Sequence, residues 1–205
     1  MTDSAVVYVV DDDASMRKSM NRLIRSLGYQ VKTFEGAKEF LDMGATNDLS
    51  CLVLDIRMPG LSGLELQERL AEAENDIPII FVTGHGTVQD SVRALKGGAV
   101  ELLEKPFDGQ ALSDAINDSI EKAASSKCDR EEMMELRDRV GTLTPREYEV
   151  FQLVVRGTLN KQIAIKLGIS IKTVKVHRAR VMEKMQVKFL AQLVRIATRL
   201  NVPAH

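Results

Sequence analysis

Short apolar runs alternate with longer amphipathic stretches over the first 120 or so residues. The runs are Val6–Val10, Leu52–Leu54, Ile79–Val82 and Val100–Leu103, with Val31–Phe34 as a more polar version. Runs of β-branched and apolar residues without polar alternation suit strands covered on both faces. Helix-length segments lie between them: Ser15–Leu27, Ala37–Met43, Gly63–Ala73, Val88–Lys96 and Gln110 onward. In the first, Met16, Met20, Leu23, Ile24 and Leu27 fall on a single apolar stripe. Five strand–helix pairs predict an α/β unit, a five-stranded doubly wound parallel sheet with helices on both faces.

Past Gly141 the pattern becomes helical throughout. Thr144, Pro145 and Glu147 form a helix start, with a capping hydroxyl, a first-turn proline and an acid three residues after the cap. A helix over Pro145–Arg156 is followed by Asn160–Leu167, which ends at Gly168, and by Ile171–Met185, which Ser170 can cap. A short helix, a glycine-containing turn and a longer helix make a helix-turn-helix. A fourth helix, Leu190–Leu200, completes a small all-α four-helix domain. The divisions are 1–122, 141–205 and a linker over 123–140. No glycine or proline interrupts Gln110–Val140. The linker therefore either continues the preceding helix, spanning ~45 Å at the α-helical rise, or breaks at the polar stretch SSKCDREE.

Composition adds a sharp division of charge. Residues 1–124 carry a net −9 and residues 125–205 a net +8, which a whole-chain value of −1 conceals. A basic half points toward a polyanion, although a solvated basic face would have the same composition. The opening MTDSAVVYVVDDD lacks a basic start and breaks its apolar run with aspartates, so neither a signal peptide nor a membrane span is expected. With no such signal, Cys51 and Cys128 read as unpaired cytosolic thiols rather than a disulfide.

The polar residues of the first half stand where the chemistry of such sheets gathers. Asp11 and Asp12 follow the first strand, Asp55 ends the third, Thr83 ends the fourth and Lys105 follows the fifth. In an open parallel sheet, ligands bind at the carboxyl ends of the strands. Singly, each acid could be a helix cap. Together, three converging carboxylates need a cation or a proton, and Mg²⁺ (or Mn²⁺) suits such hard oxygen ligands. One carboxylate can then attack phosphorus while the cation, the lysine and the threonine balance the phosphoryl oxygens.

In the third C-terminal helix, Val174, Val181 and Met185 form an inward stripe, while Lys172, Thr173, Lys175, Val176, Arg178, Ala179 and Arg180 fill other faces. Cations near a helix N-terminus oppose its dipole, so helix stability explains them poorly. A DNA major groove explains them better. His177 has no nearby Cys or His that would make it a metal ligand; a packed or groove-facing side chain is the reading.

The motifs VVDDD, LDIRMPGLSG, VTGHG and EKPF, in this order, resemble the receiver domain of two-component response regulators, with its flavodoxin-like fold, over about residues 4–122. The resemblance implies Asp55 as phosphoacceptor, served by a sensor histidine kinase or a small phosphodonor. Asp12, Asp55 and the Arg57 carbonyl would ligate the metal, and Asp11 would hold a metal-bound water. Thr83 and Lys105 would contact phosphoryl oxygens, and the bond preceding Pro106 would be cis. One position departs. The family usually carries Tyr or Phe three residues before the lysine, where this chain has the switch candidate Leu102.

The segments LTPRE, NKQIA, LGIS and KTVKVHR resemble the LuxR-type helix-turn-helix of the NarL/FixJ family. That resemblance implies Lys175 and Val176 against base edges, with Lys161, Thr173, His177, Arg178 and Arg180 as phosphate or groove contacts. It also implies Leu193, Val194 and Ala197 on a dimerisation helix. The whole chain therefore reads as a FixJ-like regulator in the cytoplasm, not an enzyme, whose phosphorylation controls promoter DNA binding. Implied with it are a phosphorylation-dependent homodimer, RNA polymerase as a partner and a role as activator. Inhibition by masking of the DNA module and inhibition by a monomeric state are both open. Two other classes compete: an aspartyl-phosphate phosphatase-type enzyme, and an adaptor that binds proteins through its receiver.

Overall fold

A computed structural model describes residues 5–44, 46, 49–84 and 86–202 of the chain. Met1–Ser4 of the leader reading and His85 of the VTGHG motif lie outside the described residues. The chain divides into two units, 1–127 and 128–205.

In the first unit, strands β1 (Val6–Val10), β2 (Gln30–Phe34), β3 (Ser50–Asp55), β4 (Ile79–Thr83) and β5 (Glu101–Glu104) form one parallel sheet. Their spatial order is β2-β1-β3-β4-β5. Helices α1 (Ala14–Ser26), α2 (Ala37–Asp42), α3 (Gly63–Glu72) and α4 (Val88–Lys96) connect them. Helix α5 (Gly109–Gly141) follows β5. Because strand side chains alternate, Tyr8, Val10, Leu52, Leu54 and Phe81 pack with Phe34, Phe40, Leu66 and Leu70 on one face. Val7, Val9, Val53, Ile80 and Val82 pack with Ile24, Leu112 and Ile116 on the other. Both faces are buried, which is why these strands read as unbroken apolar runs.

Helix α5 does not break at SSKCDREE. The stretch is polar but contains no glycine or proline, and solvated polar side chains cost a helix little. Both cysteines are unpaired, Cys51 buried and Cys128 exposed; burial pushes the Cys51 thiol up to about 12. No helix among the described residues is long and apolar enough to cross a membrane.

The second unit holds α6 (Pro145–Val155), α7 (Asn160–Leu167), α8 (Ile171–Lys184) and α9 (Leu190–Arg199). Gly168 ends α7 at φ 65°, a left-handed conformation that glycine adopts without a Cβ penalty. Ser170 caps α8 through the Thr173 amide. Val150, Phe151, Val154, Ile163, Val174, Val181, Met185, Leu193 and Ala197 form the core.

One buried acid is central to this small domain. Glu147 is 2% exposed. It accepts from the Lys184 ammonium at 2.6 Å and from the Thr144 amide at 2.9 Å, joining α8 to the start of α6. The bonds from Lys184 and Thr144 hold its carboxyl down at about 2, against an ordinary 4.5. A lowered folded-state value contributes stability above the unfolded value, which is lost as pH falls from about 4.5 towards 2. Glu147→Gln is accordingly expected to cost about 2 kcal/mol at pH 7, with the gap closing towards pH 2. Urea unfolding of the full chain, followed through the α6 and α8 amides by NMR, checks both.

Candidate phosphoacceptor pocket and nucleic-acid interface

Parallel register brings the polar residues of the first unit to one edge of the sheet. Val10 lies beside Leu54, Asp55 beside Val82, and Thr83 beside Glu104. The residues at or just past these positions are Asp11, Asp12, Asp55, Thr83 and Lys105. Carboxylate oxygens of Asp11, Asp12 and Asp55 all lie within 4.8 Å of one another. The Lys105 Nζ is 2.8 Å from Asp11 Oδ2 and 3.7 Å from Asp55 Oδ2. Thr83 is buried at the end of β4, and its carbonyl accepts from the Lys105 amide at 2.7 Å. The peptide bond between Lys105 and Pro106 is cis.

The three acids are not equivalent. Asp11 is 1% exposed and held at both oxygens, Oδ1 by the Asp13 amide at 2.8 Å and Oδ2 by Lys105. Asp12 is exposed and Asp55 half-buried. Burial raises the Asp55 carboxyl above its ordinary range, and the charges of Asp11 and Asp12 add to the rise; Lys105 and the Arg57 amide pull it down. Three carboxylates against one ammonium leave negative charge unbalanced, and every donor is a hard oxygen. That set fits a divalent cation such as Mg²⁺ or Mn²⁺. Leu102 is partly buried and packs against the core cluster of Leu52, Leu54 and Phe81.

Gly63, the first residue of α3, packs under the acceptor. A Cβ there would stand 2.2 Å from the Asp55 carbonyl oxygen. Ser62 and Glu65 start the helix with a capping box, and the Gly63 amide donates to the Ile56 carbonyl at 3.0 Å.

On α8, Lys172, Lys175, Val176 and Arg180 are exposed, as is Lys161 on α7. Thr173 is half-buried, its hydroxyl 2.8 Å from that of Ser170. The structure separates three of the expected contacts from this surface. Arg178 donates to Asn160 Oδ1 at 2.9 Å, so its guanidinium ties α8 to the start of α7 instead of standing out toward a groove. His177 is half-buried, with Nδ1 inside the domain. Lys184, another basic residue of the segment, is spent on Glu147.

On α9, Leu193 and Ala197 are covered in the domain core, which removes them from any dimer surface; of the three expected residues only Val194 is exposed, beside Phe189 and Leu190. A seven-residue stripe cannot distinguish a helix's own core from a partner's. Sequence reasoning also missed Arg17 and Asn160. Arg17 sits on the polar face of an amphipathic helix, where nothing in the spacing reveals its partners.

A parallel sheet with an acid cluster, a lysine and a threonine at its carboxyl edge defines a receiver-type domain, and the trailing helices define a helix-turn-helix. Comparison with known proteins agrees on both. Residues 7–117 match the response regulator receiver domain, and residues 141–197 match the luxR family of bacterial regulatory proteins. The chain belongs to the response regulators that join a receiver to a LuxR-type DNA-binding domain. It is 45% identical to nodulation protein W of Bradyrhizobium diazoefficiens, covering 98% of this chain and 88% of that protein. It is 42% identical to transcriptional regulatory protein FixJ of the same organism, covering 98% of each. Among solved structures, response regulator StyR shares 47% identity at a TM-score of 0.83, covering 96% of this chain and 99% of that one.

Proposed function

We propose that Asp55 is the phosphoacceptor of this two-component regulator, and that its phosphorylation switches the chain to a DNA-binding dimer that activates transcription. The observation that carries this is the Lys105 ammonium, 2.8 Å from Asp11 and 3.7 Å from Asp55 within a set of three carboxylates. One Asp55 oxygen bonds phosphorus as the donor's P–N bond (a kinase phosphohistidine) or P–O bond (an acyl phosphate) breaks, its electron pair leaving with the donor. Lys105 and the Thr83 hydroxyl neutralise and orient the phosphoryl oxygens. Asp12, Asp55 and the Arg57 carbonyl would hold Mg²⁺ (or Mn²⁺), with Asp11 holding a water on it. A bound cation supplies the charge that lets an anionic donor approach three carboxylates.

Downstream, α4 buries Ala94 but leaves Val88, Val92 and Leu95 exposed, an apolar surface for pairing receivers. Residues 1–122 act as the receiver, 123–140 as linker and 141–205 as the DNA module, which would read bases through Lys175 and Val176 and phosphates through Lys161, Lys172 and Arg180. Pairing would set two recognition helices about 34 Å apart on promoter DNA. The regulator would act in the cytoplasm, with a sensor histidine kinase upstream and RNA polymerase downstream, and without enzymatic turnover of its own.

The test is intact-mass analysis after incubation with Mg²⁺ and a small acyl phosphate. The wild type is expected to gain one phosphoryl group, which EDTA prevents and Asp55→Asn abolishes. Modification of Asp55→Asn equal to that of wild type would overturn the assignment.

A further inference from the structure

Arg17 lies in the first turns of α1 and is pinned at three points. Its Nη1 donates to the Asp11 carbonyl at 2.8 Å and the Asp12 carbonyl at 3.0 Å, and its Nη2 pairs with Glu35 at 2.9 Å. The Arg17 side chain is only 13% exposed, whereas Glu35 is 80% exposed. An ion pair with so exposed a partner contributes little to stability. The placement is better explained by what the other end of the guanidinium holds.

Both carbonyls belong to the consecutive acids of the cation pocket. Fixing them on one planar guanidinium fixes the peptide between Asp11 and Asp12, and with it the directions in which both carboxylates leave the chain. Asp11 has further anchors in Asp13 and Lys105. Asp12 is exposed, so its backbone is what sets its place. Glu35, just past β2, holds the guanidinium in register from the opposite side.

We propose that Arg17 is a positioning residue for divalent-cation binding, acting through the Asp11 and Asp12 carbonyls, with Glu35 as its anchor. The proposal rests on the reading of Asp11, Asp12 and Asp55 as a cation site. A purely electrostatic role would have the opposite sign. Positive charge beside a divalent cation repels it, so removing the charge would strengthen binding and keeping it would change nothing. Positioning predicts that both changes weaken binding. A lysine retains the charge, but its point-like ammonium cannot span two carbonyls and a carboxylate as a planar fork does.

Calorimetric titration of Mg²⁺ into the full chain decides the matter, with wild type, Arg17→Lys, Arg17→Gln, Glu35→Gln and Asp12→Asn compared. Thermal unfolding in EDTA, run alongside, shows which variants are folded. Both Arg17 variants are expected to bind Mg²⁺ about tenfold or more weakly, the range seen for groups that orient metal ligands, and Glu35→Gln to lose less. In phosphorylation assays the Mg²⁺ concentration for half-maximal rate should rise, with the rate at saturating Mg²⁺ retained. Wild-type affinity in Arg17→Lys, or tighter binding in Arg17→Gln, overturns the positioning role even if Asp12→Asn no longer binds. Unchanged binding by Asp12→Asn would instead overturn the cation site itself. Should one Arg17 variant fail to fold, the other still decides.

Discussion

Gly63→Ala is expected to destabilise the receiver by about 3 kcal/mol and to slow phosphorylation of what remains folded by tenfold or more. The added Cβ would meet the Asp55 carbonyl oxygen at 2.2 Å, the Asp55 carbonyl carbon at 3.1 Å and Leu54 Cγ at 3.1 Å. Two of those atoms are backbone in a central strand, so no side-chain rotation relieves the clash. Either α3 moves off the sheet or the end of β3 shifts, and the second moves Asp55 relative to Lys105 and Thr83. Misplacement on the order of 1 Å in a transfer geometry costs about a hundredfold in rate. Gly109→Ala is the matched control. Its Cβ would meet nothing nearer than Leu23 Cδ1 at 3.6 Å, so it should leave the phosphorylation rate unchanged and raise stability slightly, by about 0.5 kcal/mol. Urea denaturation together with phosphorylation rates in excess acyl phosphate checks both variants.

The second large effect belongs to the recognition helix. Replacing Lys172, Lys175 and Arg180 together with Ala is expected to lower affinity for generic duplex DNA by about 10² to 10³ near physiological salt. The slope of log K against log salt should become shallower by about 3, close to one for each lost phosphate contact. All three side chains are exposed on α8, so the fold should survive their removal. Arg178→Ala differs in kind. Its guanidinium is tied to Asn160 at 2.9 Å, so its loss should loosen α7 against α8 and lower thermal stability, with the salt slope nearly retained. Fluorescence anisotropy of labelled duplex over a salt series separates the two. A slope unchanged in the triple variant would favour the adaptor reading of the basic module.

What the sequence made legible follows from periodicity and position. Uninterrupted runs such as Val6–Val10 and Ile79–Thr83 could only be buried strands, and strand ends placed Asp11, Asp55, Thr83 and Lys105 on one edge before any geometry was known. Thr144 with Glu147 and Gly168 with its left-handed backbone were readable for the same reason, because local chemistry dictates them. What stayed hidden depends on partners distant in the chain. Arg178 and Lys184 counted as DNA-facing charge by composition, yet Asn160 and Glu147 occupy them across 18 and 37 positions. Leu193 and Ala197 looked available to a partner because an apolar stripe reads identically whether its cover is the domain's own core or another chain. Arg17 carried no signal, since its three acceptors are set by loop geometry. The linker was ambiguous because polar helix formers permit either outcome.

The central claim is that phosphorylation of Asp55 drives assembly, and light scattering of the purified chain tests it most directly. Wild type and Asp55→Asn would be measured with Mg²⁺ before and after a small phosphodonor, with intact mass confirming modification of the wild type. The account predicts a monomer-to-dimer shift in wild type and none in Asp55→Asn. A fully phosphorylated wild type that stays monomeric would contradict it.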